Sequence, residues 1–269
     1  MELSLREIQM ESLSILKDIK KICEREGITY YLAWGTLLGA VRHNGFIPWD
    51  DDVDIMMPRK DYERFIDYCT VNSSSLLPYQ LMHYTTNDRY VYVLARFTNT
   101  NFRVDYKGTQ DYGLGTFVDI YPLDGLGDHY KDACKNMKKN YPYMKMIKFL
   151  TMGKFERSKS IGKTIVKYPL YLIAKSIGRK RLIENFDLKC KSISYENSQY
   201  VGIPTVETME SCIIKKEWLS ESVMHKFEDE DFPIPAMYDE LLTHRYGKYM
   251  NLPPKEQQIA HHFYSVYRK

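Results

Sequence analysis

Four carboxylates fall within five positions, at Asp50, Asp51, Asp52 and Asp54, and the apolar β-branched residues Val53 and Ile55 interleave with the last of them. That alternation predicts a strand, on which residues two apart share a face. Asp52 and Asp54 then project together while Val53 and Ile55 turn toward a core. Asp50 has the same parity where the extended geometry reaches back past Asp51, which faces the opposite way and reads as structural. Bare carboxylates crowded on one face repel one another, so a cation belongs among them. A hard divalent ion, Mg²⁺ or Mn²⁺, suits such an oxygen donor set.

Two further elements carry chemistry. Upstream, Thr29-Tyr-Tyr-Leu-Ala-Trp34 reads as a strand, Gly35-Thr36 as a tight turn, and Leu37 to Arg42 as the opening of a short helix. A strand, a small-residue turn and a helix N-terminus offer backbone N–H groups and a favourable dipole to phosphate. Arg42 closes that element, and Arg96 lies on an expected strand in Leu94-Ala-Arg-Phe97. Both are candidate phosphate contacts, because guanidinium grips phosphate oxygens with two prongs. Downstream, Phe117-Val-Asp-Ile-Tyr-Pro122 places the single acid Asp119 inside an apolar strand, where an unpaired charge is costly.

A phosphate-binding turn, an Asp-x-Asp strand and a lone acid on another strand together resemble the nucleotidyltransferase fold of the polymerase-beta type. Longer strings narrow the resemblance: Gly35-Thr-Leu-Leu-Gly-Ala-Val-Arg-His43, Ile47-Pro-Trp-Asp-Asp-Asp-Val-Asp-Ile55, Asp119-Ile-Tyr-Pro-Leu-Asp124, Phe232-Pro-Ile-Pro235 and Arg245-Tyr-Gly-Lys-Tyr-Met-Asn-Leu-Pro-Pro254. From about Tyr30 to Pro254 the chain is similar to the LicD family of phosphotransferases, to which fukutin-type enzymes are related. Lys248 departs from the pattern, which has an acid after the Tyr-Gly pair. The resemblance implies Mg²⁺ held by Asp52, Asp54 and Asp119, with Asp50 in the same acidic site and Asp119 serving as ligand, as base, or as both in turn. It implies transfer of phosphocholine or a related alcohol phosphate from CDP-choline or another CDP-alcohol. The acceptor would be a sugar hydroxyl of a lipid-linked cell-surface glycan precursor, such as teichoic acid or lipopolysaccharide units, with release of CMP. Two other readings stand beside it: a nucleotidyltransferase that attacks the α-phosphate of a nucleoside triphosphate, and a non-catalytic subunit that binds glycan or nucleotide.

These residues need a scaffold. The 269 residues suffice for a substantial core, and 44% hydrophobic with 27% charged content is ordinary for a globular chain. The expected fold is α/β (α+β): a nucleotidyltransferase-like mixed sheet with flanking helices. Leu5 to Arg25 reads as an amphipathic helix stopped by Gly27, and a helix follows Pro58. Strands are expected near 53–57, 79–84, 90–97, 101–106 and 116–121. Beyond Gly127 the strand pattern gives way to helices near 128–150, 159–176 and 179–196. The expected organisation is a catalytic core of 1–126 and 199–269 with a helical insertion at 127–198. The joints Phe232-Pro-Ile-Pro235 and Leu252-Pro-Pro254 read as rigid loops, and the last helix is placed near 236–246.

Charge is uneven. Residues 131–191 hold 17 Lys/Arg against 4 Asp/Glu, a balance of +13 in a chain of net +3. Such asymmetry points to an anionic partner, here an anionic membrane surface. Nucleic acid is not expected as a partner. The N-terminus shows no basic-then-apolar leader, and five dispersed cysteines form neither a disulfide framework nor a zinc spacing. The chain is therefore expected in the cytoplasm, peripheral at the inner face of the cell membrane.

Overall fold

The computed structural model describes residues 1–106, 113–151, 161–206, 209–259 and 264–269. Residues 152–160 of the expected helical insertion lie outside that set. In chain order the elements are α1 (Leu5–Glu26), β1 (Tyr31–Leu32), α2 (Trp34–His43), β2 (Asp54–Pro58), α3 (Arg59–Val71), β3 (Tyr79–Met82), β4 (Ala95–Asn99), β5 (Phe102–Tyr106) and β6 (Thr116–Gly127). Then come α4 (Tyr130–Lys138), α5 (Tyr141–Thr151), α6 (Ile161–Ile177), α7 (Arg179–Cys190), β7 (Tyr200–Gly202), β8 (Ile214–Lys215), β9 (Ser222–Phe227), β10 (Glu230–Pro235), α8 (Tyr238–Tyr246) and β11 (Tyr264–Arg268).

The main sheet runs β1-β2-β6-β4-β3, with β7 and β8 continuing from the far part of β6. It is mixed, since β2 and β6 are parallel and the other pairs antiparallel. This is the α+β architecture expected from the sequence. α1 lies against the sheet with Ile15, Leu16 and Ile19 fully buried. A capping box between Ser4 and Glu7 starts that helix, and Gly27 ends it in the left-handed conformation at φ 59°. The core they share reaches α2, α3, α4 and α8.

Several local expectations shift. The strand placed at 90–97 runs instead over Ala95–Asn99, while Tyr90 and Val91 are buried in a side cluster outside any strand. Their apolar side chains pack, but a hydrophobic run alone does not distinguish ladder from buried coil. The helix near 128–150 is two helices, α4 and α5, with Asn140 buried at the joint. Phe232-Pro-Ile-Pro235 is strand β10 rather than a loop. Among the described residues it pairs only with β9, so the missing proline N–H groups can face the open edge. β11, which the sequence does not signal, pairs with β5, the strand expected near 101–106.

Candidate active site

Sheet register makes the site. In the parallel pair β2–β6, Asp54 sits directly opposite Asp119, and in the antiparallel pair β4–β6, Arg96 is opposite Asp119. Three adjacent strands therefore present Asp54, Asp119 and Arg96 in one row on one face. Arg96 Nε donates to Asp119 Oδ1 at 2.5 Å, and Nη2 reaches Oδ2 at 3.3 Å. Its guanidinium lies 4.4 Å from the Tyr92 ring centre and 4.3 Å from that of Phe117. The expected phosphate contact is thus, in this structure, the ion-pair partner that orients Asp119.

Asp54 is the electrostatic extreme of the row. It is buried, and among the described residues its Oδ1 has no hydrogen-bond partner. Burial, then the charges of Asp52, Asp119 and Asp50, push its carboxyl well above the usual range, against a weaker opposing hydrogen bond from Tyr121. Its backbone N–H donates to Thr36 Oγ1 at 2.8 Å, so Thr36 ties the acid strand to the first turn of α2.

Asp50, Asp51 and Asp52 precede the strand, which starts only at Asp54. Strand parity does not reach them, and this corrects the expectation that Asp51 faces away. The three carboxylates each place an oxygen within 4.8 Å of the others. The segment is pinned from two sides: Gln9 Nε2 of α1 donates to the Asp50 carbonyl at 2.7 Å and the Tyr264 hydroxyl of β11 to the Asp51 carbonyl at 3.2 Å. In the stretch before it, Phe46 N–H donates to Glu228 Oε1 at 3.1 Å. Gln9, Tyr264 and Glu228 are far away in sequence, and no local pattern marks them.

Gly35 and Thr36 belong to the first turn of α2 rather than to a separate turn, and N-cap Ala33 supplies no side-chain cap. Trp34 opens the helix at φ 45°, a left-handed conformation uncommon for a bulky residue. The Arg245 guanidinium stacks 4.2 Å over its ring. A Cβ on Gly35 would fall 2.6 Å from Asp50 Oδ2, so the glycine admits that carboxylate. Gly35→Ala is therefore expected to displace Asp50 and lower turnover by roughly tenfold to a hundredfold, with little change in melting temperature. Steady-state rates beside thermal melts check it. Wild-type turnover in Gly35→Ala would show that the position of Asp50 does not matter.

Arg42 lies outside the acid row. Its Nη1 donates to the carbonyls of Tyr249 at 2.9 Å and Asn251 at 3.4 Å, joining α2 to the segment after α8. Between them opens a groove of about 540 Å³ lined by Leu38, Arg42, Trp49, Tyr246, Lys248 and Tyr249, among others. Trp49 directly precedes the acid segment, and the Tyr246 hydroxyl is within electrostatic reach of Asp54 and Asp50. Through Trp49 the groove joins the acid segment. Aromatic rings and two cations beside an acid cluster suit an anionic ligand with a planar ring. Lys248, the departure noted in the sequence, is one of those cations.

A cation fits this donor set by its own chemistry. An orphaned buried carboxylate oxygen on Asp54, and three more carboxylates converging beside it, are hard oxygen donors whose mutual repulsion a divalent ion would relieve.

The family described as LicD/FKTN/FKRP, nucleotidyltransferase domain, matches residues 27–159. The chain is 32% identical to the lipopolysaccharide cholinephosphotransferase LicD of Haemophilus influenzae, over 99% of this chain and 98% of that one. It is 53% identical to the human ribitol 5-phosphate transferase FKRP over 34 residues, 13% of this chain and 7% of that protein. An uncharacterized protein of Rickettsia prowazekii, RP689, is 28% identical over 58% of this chain and 53% of its own length. With near-complete coverage of both chains by the Haemophilus relative, and with β2, α2 and Asp119 all inside the matched domain, this protein belongs to the LicD family.

Proposed function

We propose that the protein transfers phosphocholine, or a closely related alcohol phosphate, from a CDP-alcohol to a sugar hydroxyl of a cell-surface glycan precursor, releasing CMP. The observation that carries this reading is the acid row beside an aromatic and cationic groove, in a chain similar over its whole length to a cholinephosphotransferase. The similarity to a ribitol 5-phosphate transferase over a short stretch favours the same reaction class with a different alcohol.

In this reading the nucleotide half of the donor occupies the groove. Trp49 offers a stacking face, and Arg42 and Lys248 offset phosphate charge. The uncapped N-terminus of α2 at Gly35 and Thr36 adds backbone N–H groups toward phosphate oxygens. Asp52, Asp54 and Asp119 would hold Mg²⁺ or Mn²⁺, with Asp50 and Asp51 beside them. Bound there, the ion supplies charge neutralisation of the diphosphate and of the leaving CMP. The residues do the rest. Arg96 holds Asp119 fixed, Thr36 holds the Asp54 backbone, and the row orients the donor for in-line attack. The sugar oxygen bonds to the phosphorus that carries the alcohol, the diphosphate bridge breaks, and CMP leaves with the bridging oxygen. The hydroxyl proton passes to a carboxylate of the cluster.

A panel of CDP-alcohols, each offered with a divalent cation and a glycan acceptor, tests the assignment. The expected result is acceptor-dependent CMP release that is fastest with CDP-choline. A different best donor among the CDP-alcohols would keep the reaction class and change the alcohol. Release of pyrophosphate from nucleoside triphosphates, with every CDP-alcohol inert, would favour the nucleotidyltransferase reading instead.

A further inference from the structure

α6 is apolar on two opposite sides. Leu170, Ala174 and Ile177 pack into a cluster with α5 and α7. Ile165, Tyr168 and Leu172 follow an i, i+3, i+7 spacing and share another stripe. They are 67%, 49% and 46% exposed, and Ile173 beside them is 50% exposed. Tyr168 stacks on Tyr171, which meets Phe149 of α5 edge-on, so apolar surface continues from one helix to the next. A surface helix ordinarily turns a polar face outward, and a contiguous exposed apolar face marks an interaction site.

Charge indicates what covers it. Lys148 on α5, Lys175 on α6 and Arg181 on α7 are exposed on the same three packed helices, within the 131–191 segment of balance +13. Two copies of so basic a segment would repel, which disfavours self-association through this face. No described helix is long and apolar enough to cross a membrane. An apolar stripe rimmed by cations matches a helix lying in a lipid interface.

We propose that this face docks the protein on an anionic membrane surface, with Ile165, Tyr168 and Leu172 entering the headgroup boundary and Lys148, Lys175 and Arg181 meeting anionic headgroups. The inference is independent of which alcohol phosphate is transferred.

Sedimentation of the full chain with vesicles tests it without donor or acceptor. Vesicles of phosphatidylcholine mixed with phosphatidylglycerol should retain the protein at low salt and release it as salt rises, and vesicles of phosphatidylcholine alone should retain little. The combined reversal Lys148→Glu, Lys175→Glu and Arg181→Glu should weaken partition about a hundredfold or more, since each basic residue contributes about fivefold. Tyr168→Ser with Leu172→Ser should weaken it as well, while turnover on a water-soluble acceptor stays at the wild-type level. Equal retention by neutral and anionic vesicles, or none at low salt, would overturn the proposal using the wild-type protein alone. So would a stable dimer that Leu172→Ser dissolves, because a second copy would then be the occupant.

Discussion

Asp54→Asn is expected to lower transfer by roughly a thousandfold or more while the cation-free protein melts no lower than its parent, and higher above the ordinary carboxylate range. The two effects come from one feature. Asp54 is buried against Asp52, Asp119 and Asp50, with one oxygen unbonded, so its charge is costly to the empty fold. The amide removes that charge and the ligand oxygen's negative character together. The direction with pH follows from the raised carboxyl. Its contribution is favourable below the unfolded value near 4 and is lost as pH rises through the higher folded value. Melting of the chelator-treated wild type should therefore fall with rising pH over that window, and Asp54→Asn should fall less. Added Mg²⁺ should raise the wild-type midpoint more than that of the variant. Paired melting curves and rates decide the matter, and a variant with more than about a tenth of wild-type turnover would remove Asp54 from the chemistry.

The largest loss of stability is expected from Arg59→Ala. Arg59 opens α3 immediately after β2, and its guanidinium forks onto both oxygens of Asp124 at 2.7 Å each. Its third contact is Asp187 of α7 at 2.9 Å, and the Tyr84 hydroxyl donates to the other oxygen of Asp187 at 2.9 Å. All three charged side chains are at most 10% exposed. Arg59 and Asp124 each lie five residues beyond Asp54 and Asp119 on the same chain segments, so this pair locks the strands of the acid row to each other and to α7. Removing the cation strands the buried Asp124 carboxylate and leaves Asp187 with Lys191 at 3.6 Å and the Tyr84 hydroxyl, which costs about 3–5 kcal/mol. The melting temperature should drop by roughly 10 °C. Replacing all three by apolar residues, Arg59→Met with Asp124→Leu and Asp187→Leu, should recover much of the loss, because no unpaired charge remains. A drop of under about 1 kcal/mol in Arg59→Ala would mean that water reaches the network.

Much of this arrangement is legible in the residues. Asp54 and Asp119 stand out because each is an acid inside an apolar strand pattern, and the helix from Leu5 stands out by its stripe and its Gly27 stop. What is hidden depends on distant segments. Arg96 shows in sequence as a cation with apolar flanks, but only strand register reveals it as the partner of Asp119. Asp51 misleads because parity was carried past the start of the strand. The Arg59 network joins residues 128 positions apart, and nothing local announces Asp187 as its third member. β10 misleads in the other direction, since prolines signal a loop wherever an unpaired sheet edge is not foreseen.

Transfer of an alcohol phosphate and transfer of a nucleotide leave different phosphorus on the acceptor. Phosphorus NMR of a reaction containing CDP-choline, Mg²⁺ and a glycan acceptor distinguishes them most directly. The expected result is a new phosphodiester signal on the glycan that grows with one CMP per transfer and is absent with Asp54→Asn. Nucleotide attached to the acceptor with pyrophosphate released from a triphosphate, or CDP-alcohols that stay intact while binding to the protein, would contradict it.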